Sequence, residues 1–190
     1  MKHHTTMLIG GVLLLTISLS ASAHNTKPEV IQLEVTSSGT LDMKTDSKCP
    51  ATPKRPAYPE KGCVRAAKGE ALSIQFKLSG NTSNSACPSP DKYQLNGIQI
   101  GGKNSLKPSS AQWDSPTKLL DEEVLADFVA DPVTGWVNFT TQPNGDIVLH
   151  NNNGSKNGYF IWYRVRARCS NGSPATDIFY DPRMDNEGND

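Results

Sequence analysis

Four histidines stand in this 190-residue chain, and two of them, His24 and His150, lie beyond its leading apolar stretch. A chain cut after Ala23 begins at His24, which then carries an α-amino group and an imidazole on one residue. Those two nitrogens and a second imidazole make a T-shaped set that suits Cu(II), and His150 is the one histidine left to complete it. The four cysteines, Cys49, Cys63, Cys87 and Cys169, are the next group with chemistry of its own. Their spacing matches no C-x-x-C metal or redox pattern, so they read as disulfides. A third group is Arg164, Arg166 and Arg168, which alternate along one stretch behind Phe160 and Trp162. On a strand these five share a face. Such a face can hold an acidic glycan or a phosphate-bearing surface, with the rings stacking on sugars. It can equally be an outer sheet face whose arginines pair with neighbouring acids. Conventional catalysis has less to work with. A serine triad would have to use His150, and no G-x-S-x-G elbow is present. Two disulfides leave no thiol nucleophile, and Gly101-Gly102-Lys103 lacks phosphate-loop spacing.

The run from Leu8 to Leu19 follows Lys2, His3 and His4 and ends at Ala21-Ser22-Ala23. That is the charged start, short apolar stretch and A-x-A site of a secretory signal. No later segment approaches about 18 apolar residues, so no integral membrane segment is expected. The expected organisation is a signal peptide over 1–23, a single domain over 24–180 and an acidic C-terminal tail over 181–190. The expected location is periplasmic or secreted. The chain carries 19 Lys+Arg against 19 Asp+Glu, and cleavage removes only Lys2. A balance so close to neutral argues against nucleic acid as a partner.

An even cysteine count in an exported chain allows three connectivities. Cys49–Cys63 with Cys87–Cys169 is the preferred pairing, the second tying the middle of the domain to its last long strand at a gain of a few kcal/mol. The first loop, CPATPKRPAYPEKGC, places Pro50, Pro53, Pro56 and Pro59 at a period of three. That is the polyproline II repeat, and it sets Thr52, Arg55 and Tyr58 on one edge. The two readings compete. An extended run from Cys49 to Pro59 covers about 31 Å, and four more residues return at most about 14 Å. A disulfide needs its Cα atoms about 5.5 Å apart. Either the loop bends and Cys49 pairs with Cys63, which is the preferred reading, or the run is straight and Cys49 pairs elsewhere. Arg55 and Tyr58 make the loop a candidate for recognition, and a rigid loop without a ligand is the plainer alternative.

The elements that must position these groups are mostly strands. Val30 to Val35 and Leu72 to Leu78 alternate apolar and polar residues, the second without a break. Tyr93 to Ile100 resumes the pattern, with a bulge or turn expected at Gly97. Thr117 to Val129 is the one helix expected, with Ser115-Pro116 as its cap and Pro132 beyond its end. Trp136 to Thr141 and Asp146 to His150 flank Asn144-Gly145, a hairpin signal. Tyr159 to Cys169 makes a long strand, with Tyr159, Ile161, Tyr163, Val165 and Ala167 on the face opposite the arginines. Ala175 to Tyr180 makes a short last one. Six or seven strands with turns between them predict an all-β, immunoglobulin-like β-sandwich with one short helix, stabilised by disulfides.

Two resemblances add to this. Asp181-Pro182 followed by Asn186-Glu187 resembles the closing motif of the DP-EP family, small bacterial β-sandwich proteins of unknown function; Gly188 stands at that family's second proline. The resemblance covers about ten residues and implies a sandwich without an assigned activity. An N-terminal His24 with His150 resembles the histidine brace of lytic polysaccharide monooxygenases, which are secreted, disulfide-bonded β-sandwiches. That resemblance implies copper, oxidative chemistry on a polysaccharide, and Phe179 or Tyr180 near the axial position. The leading expectation is an exported, non-enzymatic module without a cofactor. It binds a glycan, a surface component or a protein partner through Arg55, Tyr58, Trp162, Arg164 and Arg166. The copper site at His24 and His150 is the alternative.

Overall fold

Alternating residues bury one face of a strand, and in this chain two sets of strands bury theirs against each other. The computed structural model describes residues 28–51, 57–80, 83–113 and 120–188. The first sheet contains β1 (Glu29–Val35), β2 (Leu41–Met43), β4 (Leu72–Gly80), β6 (Thr140–Thr141) and β7 (Ile147–Asn151), in the order β2-β1-β4-β7-β6. The second contains β3 (Val64–Ala66), β5 (Tyr93–Ile100), β8 (Tyr159–Cys169) and β10 (Arg183–Asn186), in the order β3-β10-β8-β5, and β9 (Ile178–Tyr180) also pairs with β8. The pairs β1–β4 and β3–β10 are parallel and the remaining ladders antiparallel. Ile31, Leu33, Phe76 and Leu149 of the first sheet meet Tyr159, Ile161, Tyr163 and Val165 of the second in one core. The fold is all-β and two-layered, as the alternation predicts.

Both preferred disulfides are present. Cys49–Cys63 spans Cα atoms 5.8 Å apart and Cys87–Cys169 spans 5.5 Å. The proline loop therefore bends: Tyr58 pairs with Cys49 as an antiparallel bridge, its N–H donating to the Cys49 carbonyl at 2.9 Å. Loop closure prevails over the polyproline repeat because the disulfide fixes both ends. Arg55 and the central prolines lie outside the described residues.

Several elements differ from expectation. Residues 181–188 are no solvated acidic tail: β10 is buried between β3 and β8. Pro182 has no N–H and interrupts the pairing along β8, so β9 and β10 lie along that strand in succession, bridged by the Tyr163 N–H donating to the Pro182 carbonyl at 3.0 Å. The helix α2 spans only Glu122–Asp127, capped by Asp121, whose side chain accepts from the Val124 N–H. The expected cap at Ser115-Pro116 lies outside the described residues. A second short helix, α1 (Ser110–Trp113), was not signalled by any periodicity. Of Trp136 to Thr141 only Thr140–Thr141 is strand, while Trp136 and Val137 form single bridges to Gln99 and Ala130.

Candidate functional site

The face of β8 opposite the core carries Phe160, Trp162, Arg164, Arg166 and Arg168, as the spacing requires. It is covered rather than open. Trp162 is 7% exposed and Arg164 3%. Three segments lie over it: the Cys49–Cys63 loop brings Tyr58, the stretch after β5 brings Lys107 and Trp113, and the turn before β6 brings Trp136. The Trp162 indole donates to the Ser105 carbonyl at 3.0 Å and meets Tyr58 edge-on, with centroids 5.5 Å apart. Arg164 lies between the rings of Trp113 and Phe179, at 4.8 and 4.5 Å, and its Nε donates to Asp181 at 2.9 Å. Arg166 stacks on Trp136 at 4.2 Å and donates to Asn96. Arg183 lies between Tyr58 and Phe160 at 4.6 and 4.4 Å. Each desolvated guanidinium on a ring contributes on the order of 1–2 kcal/mol.

Gly97 makes one of these contacts possible. A Cβ there would stand 2.7 Å from the Trp136 ring, so glycine in the middle of β5 admits the indole onto Arg166. Acids complete the ladder. Arg168 pairs with Asp177, and Asp185 accepts from Arg65 at 2.8 Å and Arg183 at 2.7 Å. Burial pushes the Asp185 carboxyl up, but the hydrogen bonds from Arg183 and Arg65 outweigh it and hold the group below its ordinary value. Burial, reinforced by Glu60, pushes the Tyr58 phenol well above its ordinary value. Tyr58 and Trp162 are thus brought together, while Arg164 on the same face is engaged with Trp113, Phe179 and Asp181.

Beside this ladder the chain forms a cleft of about 620 Å³. Gly101, Leu106, Pro108 and Trp113 form part of its lining, together with Val133 and Thr134 from the turn before β6. Gln99 ties the two sides, its amide donating to the carbonyls of Trp113 at 2.9 Å and Thr134 at 2.6 Å. Leu106 is 92% exposed and Val133 40%, unusual for large apolar side chains drawn to one concave place. The sequence marked neither side of this cleft, since each is an irregular connection.

The Asn-rich run after β7 turns inward. Asn151 and Asn153 are buried in a network centred on Asp127, the last residue of α2. Asp127 accepts from the Tyr159 hydroxyl at 2.5 Å, the Asn186 amide at 3.0 Å, the Ser155 N–H at 3.1 Å and the Gly154 N–H. Asn151 and Asn186 exchange side-chain hydrogen bonds, and Asn153 donates to the carbonyls of Ala67 and Glu70. Asn186 of the closing motif therefore serves this network, and Asp181 serves Arg164.

His150 is exposed on the outer face of the first sheet, its Nδ1 sharing a hydrogen bond of 3.0 Å with Ser73 Oγ. His24 lies outside the described residues. The aromatic expected near the axial position is not available there. Phe179 stacks on Arg164 at the far side of the sandwich, and Tyr180 pairs with Val165 and packs against the core. The strand alternation that turns His150 outward from one sheet turns Phe179 outward from the other. Cys49, Cys63 and Asp185 bring two sulfurs and a carboxylate within 4.8 Å of one another. The sulfurs are bonded to each other and the carboxylate is held by two arginines, so the group does not fit a metal. No family model matches the chain, and a search of curated proteins finds no relative.

Proposed function

We propose that the mature chain is an exported, non-enzymatic binding module that holds a glycan, a surface component or a protein partner in the cleft between the stretch after β5 and the turn before β6. The observation that carries this reading is the cleft itself, a concave site of a size that suits ligands, set on a sandwich braced by two disulfides. The buried carboxylates Asp127 and Asp185 are each saturated by donors, which favours binding over acid–base chemistry. Within the ladder Arg164 stacks on Trp113 and supports it in the wall. The test is binding of the secreted protein to a panel of glycans, cell surfaces and exported proteins, alongside Val133→Asp. A loss of tenfold or more in the variant is expected, since the charge would be buried in an apolar site; unchanged binding would place the site elsewhere.

One observation favours copper as a second reading. Glu29, at the start of β1, is in register with Ile74, and Ser73 with His150, so the chain enters the first sheet at the end where His150 sits. Two strand spacings are about 10 Å, and the five residues back to His24 reach about 17 Å. In the tautomer whose Nδ1–H donates to Ser73 Oγ, Nε2 of His150 is left as a ligand, and a partner on the other ring nitrogen is what orients a metal-bound imidazole. Protein cleaved after Ala23 should then retain one Cu(II) per chain, with nitrogen hyperfine structure that His150→Ala simplifies. Equal retention by the variant removes this reading.

A further inference from the structure

Resting on the cleft reading above, we propose that the cleft takes an uncharged segment of a partner polypeptide through its apolar side chains. Leu106 and Val133 are two of the three large apolar side chains that stand exposed among the described residues, and both line it. The lining offers little to an anion. Lys107 is its one charged residue among those described, and that ammonium lies over Trp162 and pairs with Glu60 at 3.6 Å. It offers little to a sugar ring either. Trp113 is the one aromatic of the lining among the described residues, and it is 4% exposed, stacked on Arg164, so none of these offers a flat ring open for stacking. What remains among the described residues is neutral: apolar side chains, with the Gln112 amide to meet backbone amides. The Trp113 indole N–H is buried in the wall and has no acceptor among the described residues. Apolar anchors set in a concave, uncharged lining are how proteins hold short apolar peptide segments.

The test uses the disulfide-intact protein labelled with ¹⁵N and follows the amides of Gly101, Gly102 and Gly135 and the Trp113 indole. N-acetyl-Leu-Leu-amide is expected to shift these signals together. N-acetyl-Ser-Ser-amide, chitotriose and inorganic phosphate are expected to leave them in place. Leu106→Ser, at a position already open to water, is expected to weaken the Leu-Leu probe by tenfold or more while the fold persists. Shifts caused by chitotriose or phosphate but not by the Leu-Leu probe would overturn the peptide class and leave the cleft reading standing. Equal shifts from the Ser-Ser probe, or none from any probe, would overturn the proposal. The cleft reading itself falls only if panel binding is indifferent to Val133→Asp.

Discussion

Replacing Asp127 by alanine is expected to lower stability by about 3–5 kcal/mol, seen as a fall in the denaturant midpoint at an unchanged slope. The carboxylate is fully buried and accepts from the Tyr159 hydroxyl, the Asn186 amide and two backbone N–H groups. Alanine would remove the acceptor that these four donors share. Each donor left without a partner costs about 1–3 kcal/mol before the loop relaxes toward water. The loss would also uncouple three parts of the fold, because the network joins the end of α2, the loop after β7 and the final strand β10. Tyr159→Phe, which removes one donor and keeps the ring in the core, should cost about 1 kcal/mol. If both variants cost the same, the network does not act as a unit.

Asp185→Asn is expected to cost a similar amount, about 3–5 kcal/mol, because in a covered layer it takes the carboxylate from Arg183 and leaves Arg65 only the longer pairing with Glu187 at 3.8 Å. Arg65 and Arg183 are each 10% exposed at the side chain, and Asp185 is not exposed at all. The same group makes stability depend on pH in a definite sense. Its folded pKa is depressed, the hydrogen bonds from Arg183 and Arg65 prevailing over burial. The stabilisation is therefore complete above the unfolded carboxylate value of about 3.9. It is lost as pH falls through the lower, folded value. Denaturant midpoints taken from pH 7 to pH 2 should fall more steeply below about pH 4 in the wild type than in Asp185→Asn. Parallel curves would mean that Asp185 carries no such linkage.

Much of the fold is legible because strand alternation is a local property. Tyr93–Ile100 and Tyr159–Cys169 are strands with the bounds read from their patterns, and the core face of β8 is Tyr159, Ile161, Tyr163, Val165 and Ala167. The bulge beside Gly97 is legible for the same reason. Where the local signal was weak, the partner strand decided. Val64–Ala66 and Arg183–Asn186 have too few residues to show a period, and they become strands because β8 leaves an edge to be paired. The helix ran shorter than its apolar spacing because Phe128 turns into the core in extended backbone instead of continuing the turn.

The candidate site was less legible, and the reason is which face of a residue the rest of the chain covers. Spacing alone placed Trp162, Arg164 and Arg166 on one strand face, away from the core. It could not say that Tyr58, Trp113 and Trp136, each distant in sequence, would close over that face and convert a basic stripe into a buried ladder. Charge composition likewise made residues 181–190 read as solvated, whereas Asp181, Asp185 and Asn186 have partners that only the folded chain brings to them. By itself the sequence determined the two-layered β architecture and the direction in which each long strand faces, both consequences of period, while it preferred one disulfide pairing among three and left the folded chain to select it. The tertiary structure alone decided that the polar residues are paired and that a cleft opens beside them, because pairing and concavity depend on what distant segments do with the space between them.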